Sequence, residues 1–277
     1  MNEWQDRLPL LVAECATSWN LVLGERLGGD TEAFVIAVTC RGRPCVLKLN
    51  PPDPESELEA DALRCYAGLG AARLIESDRQ RGALLLERLT PGGSLWTVAD
   101  EADADAVAAA VLAELWLAQP AVGFRPLADA AAEWAALLPP LWRSLGRPFP
   151  RRLLDLALAA ARELPASPQH SVLLHQDLHG GNILRDGDGW RAIDPKPLVG
   201  DAAFDLASLL RDRRPELAVD PDPAGRVRRR FRRLTALTGV DRERARGWGV
   251  LHALAWGVDT DGADPVMVAC AEWIAAA

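Results

Sequence analysis

The chain has 277 residues, 49% of them apolar and 25% charged, a balance suited to one large globular domain or two modest lobes. A formal net charge of −8 argues against nucleic acid as the main partner, because phosphate backbones require a clustered basic surface. No charge-free run of 18 apolar residues occurs and the five cysteines form no CxxC pair, so a cytoplasmic protein with reduced thiols and no membrane span is expected.

Taken in order, residues up to about 90 read as strands followed by one helix. Leu21 to Leu27 and Ala33 to Thr39 are short apolar or β-branched runs separated by Gly28-Gly29-Asp30. A third strand, Pro44 to Leu49, follows the turn residues Arg41-Gly42-Arg43. Pro51 to Pro54 stop it, and a helix is expected from Glu55, with apolar positions Leu58, Ala62, Leu63, Tyr66 and Leu69 at helical spacing. Ala71 to Ile75 and Gly82 to Glu87 suggest a strand pair closing the sheet. After Pro91-Gly92-Gly93 the chain becomes Ala-rich and helical over 100–117, 127–145 and 150–164, returns to short strands between Val172 and Ile193, and is helical again beyond Gly200. Strands first and helices after predict an α+β fold of two unequal lobes, 1–89 and 90–277. The basic run Arg226 to Arg233 reads as the solvated face of a helix.

The chemistry concentrates in His175-Gln-Asp-Leu-His-Gly-Gly-Asn182, followed by Ile193-Asp194-Pro195. Phosphoryl transfer needs one carboxylate to take the proton of the attacking hydroxyl, and oxygen ligands for the Mg²⁺ that bridges the phosphates. Asp177 is the expected base, with Asn182 and Asp194 as metal ligands. Gly180 and Gly181 are expected to let the loop turn back. His175 and His179 flank it as hydrogen-bonding supports, since hard oxygen ligands suit Mg²⁺ better than imidazole. Only two lysines occur, and Lys48, in an apolar strand, is placed to reach the nucleotide phosphates with Glu55, Glu57 or Glu59 as its partner. The Gly28-Gly29 turn offers backbone N–H groups over them. Lys196 either contacts phosphate or is solvated.

The loop resembles the H-G-D-x-H-x-x-N catalytic loop of the protein-kinase-like aminoglycoside phosphotransferases. The string Ile193-Asp-Pro-Lys-Pro-Leu-Val-Gly200 with Phe204-Asp-Leu-Ala207 is similar to the streptomycin 6-kinases and the hydroxyurea-resistance kinases. The resemblance runs from about residue 20 to 260 and departs at Gln176, where glycine is usual. It implies a small β-rich nucleotide-binding lobe, a larger helical lobe, ATP or GTP with Mg²⁺, and transfer of the γ-phosphate to a hydroxyl of a small cationic acceptor, foremost streptomycin. It selects Glu59 as the partner of Lys48, gives Glu87 to Leu89 as backbone contacts for the nucleobase, and gives Asp205 the support of the catalytic loop. A guanidino-bearing acceptor calls for carboxylates and flat apolar walls, which points to Trp256, Asp259 and Asp261, with Asp201 as a further contact. Trp248 and Trp256 read equally well as the core of a helix pair. Hydroxyurea or an amino sugar as acceptor, and a non-catalytic nucleotide-binding regulator, are the alternative readings.

Overall fold

The segments read as strands pair antiparallel into one sheet, in the order β1-β2-β3-β5-β4: β1 (Leu21–Leu27), β2 (Phe34–Cys40), β3 (Arg43–Leu49), β4 (Leu74–Asp78) and β5 (Ala83–Glu87). The structure is a computed structural model that describes residues 3–28, 33–52, 58–120 and 123–277. Arg41 and Gly42 both take positive φ, which suits the two-residue hairpin joining Cys40 to Arg43. Alternation along β3 and β5 assigns the two faces of the sheet. Cys45, Leu47, Leu49, Ala83 and Leu85 join one apolar cluster, while Leu84, Leu86 and partly buried Val46 join the other. Lys48 shares the second face.

The first cluster is covered by a helix that the sequence reading did not anticipate, α1 (Glu3–Trp19). Its residues Leu8, Leu11, Val12, Cys15, Ala16 and Trp19 pack on the sheet and recur at helical spacing, a stripe legible in the sequence. On the opposite face lies α2 (Glu59–Tyr66), which presents Glu59, Ala62, Leu63 and Tyr66 inward. Glu55, Glu57 and Gly29 lie outside the described residues. Gly28 ends β1 at φ +83° with open space around it, as a turn glycine does.

Most of the remaining chain is helical: α3 (Glu101–Leu115), α4 (Leu127–Ser144), α5 (Arg151–Glu163), α6 (Leu206–Leu210), α7 (Arg214–Val219), α8 (Pro223–Thr238), α9 (Arg242–Gly257) and α10 (Pro265–Ala275). Two small sheets are embedded among them. β7 (Ser171–Leu174) pairs with β10 (Leu198–Asp201), and β6 (Pro91–Ser94), β8 (Ile183–Asp186) and β9 (Gly189–Ala192) form the other. The sheet half and the helical half meet through the segment before β4. Ala72 N donates to Ala192 O and Ala192 N to Gly70 O, at 2.9 and 2.7 Å. Gly70 is required there, because φ is +64° and a Cβ would lie 2.9 Å from Val111 O.

The basic run corrects one expectation. Arg228, Arg229 and Arg232 of α8 are exposed, but Arg226, Arg230 and Arg233 share the inward face at i, i+4 and i+7. They bridge to α3: Arg230 contacts Glu101 and Asp105 at 3.1 and 3.3 Å, and Arg233 contacts Asp105 at 2.7 Å. Arg230 is 4% exposed. Half of the run therefore joins two helices, and charge periodicity alone could not identify which helix faced it.

Candidate active site

The loop between β7 and β8 is held by its own backbone and by one buried carboxylate. Asp177 N donates to His175 O, His179 N to Asp177 O and Asn182 N to His179 O, at 2.8, 3.1 and 2.8 Å. Asp205, wholly buried, accepts from the N–H groups of Gln176 and His175 at 2.8 and 3.3 Å and from Trp116 Nε1 at 3.0 Å. Burial pushes its carboxyl up to about 6 against the pull of these three donors. His175, also wholly buried, donates from Nε2 to Ile193 O at 2.9 Å. Burial holds its imidazole down at about 4, so the ring is neutral. The loop supports expected from His175 and Asp205 are thus physical contacts.

Gln176 shows why glycine is usual at its position, for its φ is +67°. The conformation is over-determined, since Asp205 takes its N–H and Ser208 Oγ donates to its carbonyl at 2.8 Å. Gly180 and Gly181 serve differently from expectation. Neither has positive φ; a Cβ on Gly180 would lie 2.6 Å from Trp96 Cδ1 and one on Gly181 2.7 Å from Trp96 Cη2. Close approach of the indole, and not backbone freedom, demands both glycines.

The metal-ligand candidates come from both ends of the β8–β9 hairpin. Asn182 Nδ2 donates to Asp177 O at 3.0 Å, so the amide oxygen is the side-chain atom left to act as a ligand. Asp194, at φ +60°, accepts on Oδ1 from Lys48 Nζ at 2.9 Å across 146 residues of sequence. Lys48 also reaches both oxygens of Glu59 at 2.8 Å, and Asn50 Nδ2 donates to Glu59 Oε2 at 2.7 Å. Lys48 is 5% exposed and Glu59 3%. Burial works against the ammonium, yet the two carboxylates outweigh it and hold the lysine charged, above its ordinary range. One amide oxygen and one carboxylate fit a hard, oxygen-preferring cation that takes its other ligands from phosphates and water. No cluster of three His, Cys, Asp or Glu able to hold a metal occurs among the described residues.

Around this centre several expectations change. Asp201 is no acceptor contact: it is 2% exposed, and its Oδ2 receives Arg244 Nη2 at 2.6 Å and Trp248 Nε1 at 2.8 Å. Trp248 is fully buried and edge-on to Phe204, so it is core. Trp256 is half-buried, stacked on His252 with ring centroids 4.1 Å apart and edge-on to Trp134. Asp259 and Asp261 are exposed just beyond α9, where Asp259 Oδ1 caps a turn by accepting from Asp261 N and Gly262 N. The N–H of Glu87 is given to Arg73 O at 3.0 Å, and its carboxylate accepts Arg73 N, so of its backbone groups the carbonyl is the one left to meet a nucleobase. Leu89, mostly buried past the end of β5, keeps its backbone outside these ties. Lys196 lies 3.9 Å from Asp177 Oδ2.

Four residues beside the loop escaped the sequence reading. Arg211 contacts Asp177 Oδ1 at 3.4 Å and His252 Nδ1 at 3.2 Å. Trp96 stacks on His179 at 5.3 Å and donates from Nε1 to Asp212, whose other oxygen accepts Gly180 N at 2.8 Å. One signal was available: Arg211 interrupts the apolar run that follows Asp205. The pairing of His252 with it depends on how α9 packs.

Known proteins resemble this chain both in sequence and in fold. Residues 19–262 match the profile of the aminoglycoside/hydroxyurea antibiotic resistance kinases. The streptomycin 6-kinase of Streptomyces glaucescens is 36% identical over 276 residues, covering 97% of this chain and 90% of its own. The hydroxyurea phosphotransferase of Kitasatospora aureofaciens is 41% identical over 251 residues, covering 89% and 71%. Among solved structures, aminoglycoside phosphotransferase APH(4)-Ia in ternary complex with ADP and hygromycin B superposes with a TM-score of 0.65 at 18% identity, covering 95% of this chain and 97% of that one. Choline kinase LicA of Streptococcus pneumoniae gives 0.61 at 13%, covering 91% and 89%. These two likenesses speak for the two-lobed kinase fold, and the sequence relatives for the family: the chain belongs to the aminoglycoside/hydroxyurea antibiotic resistance kinases.

Proposed function

We propose that this kinase transfers the γ-phosphate of ATP to a hydroxyl of streptomycin, the 6-hydroxyl by analogy with its relatives. The meeting of Asp177, Asn182 and Asp194 with the Lys48–Glu59 pair of the other lobe carries this reading. Asp177 orients the acceptor hydroxyl and takes its proton as the oxygen attacks phosphorus, and ADP leaves with the electrons of the broken P–O bond. Lys48, fixed by Glu59, steadies the triphosphate in line. The Asp194 carboxylate and the Asn182 amide oxygen would hold Mg²⁺, which when bound neutralises charge on the phosphates. Leu89 supplies backbone contact to the base, and Gly28 a backbone N–H to the phosphates. Trp256, with Asp259 and Asp261 beyond it, offers a flat wall and carboxylates to a guanidino-bearing acceptor.

The identity of 41% to the hydroxyurea phosphotransferase favours hydroxyurea as the second reading. ADP release with ATP and Mg²⁺ separates the two, with streptomycin, hydroxyurea, kanamycin, spectinomycin and glucosamine as acceptors and none as the blank. Turnover confined to streptomycin is expected. Turnover with hydroxyurea alone replaces the acceptor, and nucleotide binding without turnover on any of them removes the antibiotic-kinase reading. Asp177→Asn should lower kcat by a factor on the order of 10²–10⁴ while nucleotide still binds.

A further inference from the structure

Arg211 follows the last residue of α6 and is 7% exposed. A buried guanidinium has to be partnered, because desolvating it alone is prohibitive. Two of its partners are uncharged. Its Nη2 donates to Ser208 Oγ at 3.3 Å, and its Nε to His252 Nδ1 at 3.2 Å. Arginine can only donate, so His252 Nδ1 carries no proton and the ring holds its hydrogen on Nε2. That ring is enclosed: it is wholly buried, stacked flat on Trp256 and edge-on to Phe204 at 5.1 Å. Burial and the neighbouring Arg211 hold the imidazole well below its ordinary pKa, so it stays an acceptor. Ser208 in turn donates to Gln176 O, which ties the guanidinium to the backbone just before Asp177.

Nη2 carries two hydrogens, and besides Ser208 it serves Asp177. Nη2 lies 3.4 Å from Oδ1, and Asp177 is the one carboxylate in ion-pair range of Arg211 among the described residues. The contact is long, as catalytic contacts often are before substrates bind. It engages one oxygen of Asp177, while among the described residues Oδ2 has the looser approach of Lys196 at 3.9 Å. We propose that Arg211 is a positioning residue for phosphoryl transfer: braced from behind by Ser208 and His252, it anchors Oδ1 of Asp177 so that Oδ2 faces the acceptor hydroxyl. This rests on Asp177 being the base, as proposed above. It also gives the Trp256–His252 stack a second consequence, since the aromatic wall braces the brace.

The test is kinetic and structural. Arg211→Met should lower kcat about a hundredfold, the cost of a misplaced catalytic group, with KM for ATP and acceptor changed less than about threefold. Because Arg211 acts through Asp177, Asp177→Asn/Arg211→Met should fall no further than Asp177→Asn alone. Millimolar guanidinium added to Arg211→Ala should restore activity about tenfold or more by refilling the site. A crystal structure of Arg211→Met should show the Asp177 carboxylate rotated or split between rotamers. Wild-type kcat in Arg211→Met, or losses that multiply in the double variant, overturns the proposal. If Arg211→Met does not fold, Arg211→Lys is measured in its place, and its charge without the fork should not restore kcat. If the wild-type protein turns over none of the acceptors, the functional reading fails separately. The crystal structure then decides the positioning role, and an unmoved Asp177 sinks it.

Discussion

Removing Glu59 probes the join between the lobes most directly. Glu59→Ala deletes both acceptors of Lys48 Nζ on that side and the acceptor of Asn50 Nδ2. The ammonium, 5% exposed, keeps only Asp194, whose side chain is 34% exposed and reached by water. Breaking a buried pair by removing one partner costs about 3–5 kcal/mol, and the surviving Asp194 contact places this case at about 3 kcal/mol. For a chain of this size that is a fall in melting temperature of roughly 6–12 °C. Thermal and urea unfolding of the nucleotide-free protein measure it. The same reasoning gives an opposite result for the double replacement. Lys48→Met/Glu59→Leu removes both charges together, and apolar replacement of a buried pair is about neutral or stabilising. It should therefore melt within a few degrees of wild type while having lost turnover. A loss below about 1 kcal/mol in Glu59→Ala, or a double variant no more stable than Glu59→Ala, refutes the account of a charge stranded in the interior.

Asp201→Asn should lower the melting temperature, because it weakens the contacts to Arg244 and Trp248, and leave KM for the acceptor unchanged; a raised KM with unaltered melting would return Asp201 to the acceptor site. Asp205 is pushed up to about 6 in the fold, against about 3.9 for a free Asp. A raised pKa means that its increment of stability is present below about pH 4 and is lost as pH rises through about 6, roughly 2–3 kcal/mol in all. Unfolding free energy of wild type minus Asp205→Asn, followed from pH 4 to 7, should fall by that amount; a flat difference contradicts it. Arg230→Met strips Glu101 and Asp105 of a buried partner and should cost about 2–3 kcal/mol, Arg233 retaining part of the pairing, whereas exposed Arg229→Met should cost under about 0.5 kcal/mol. Equal effects in a urea titration would restore the solvated-face reading of the whole run.

Much of this protein is written in local pattern. The alternation in β3 and β5 is a property of consecutive residues, so the strands and the face carrying Lys48 are legible without the fold. The same holds for the loop from His175 to Asn182, where five residues of spacing bring a carboxylate and an amide to one turn, and for α1, whose stripe was present but overlooked. What no local pattern contains is the identity of partners far apart in the chain. Asp201 and Asp177 are both aspartates at short strands; packing of α9 surrounds one with Arg244 and Trp248, while the Oδ2 of the other has the loose approach of Lys196 among the described residues. The arginines of α8 look alike in order, and the position of α3 selects three of them. Glu87 ends its strand as a hinge residue would, but the return of the chain through Arg73 takes its N–H. Arg211 and His252, 41 residues apart, acquire a relation to Asp177 only when α6 and α9 close on the loop. Burial makes charge and hydrogen-bonding partners costly to leave unmade, and the partners available are decided by which elements pack together.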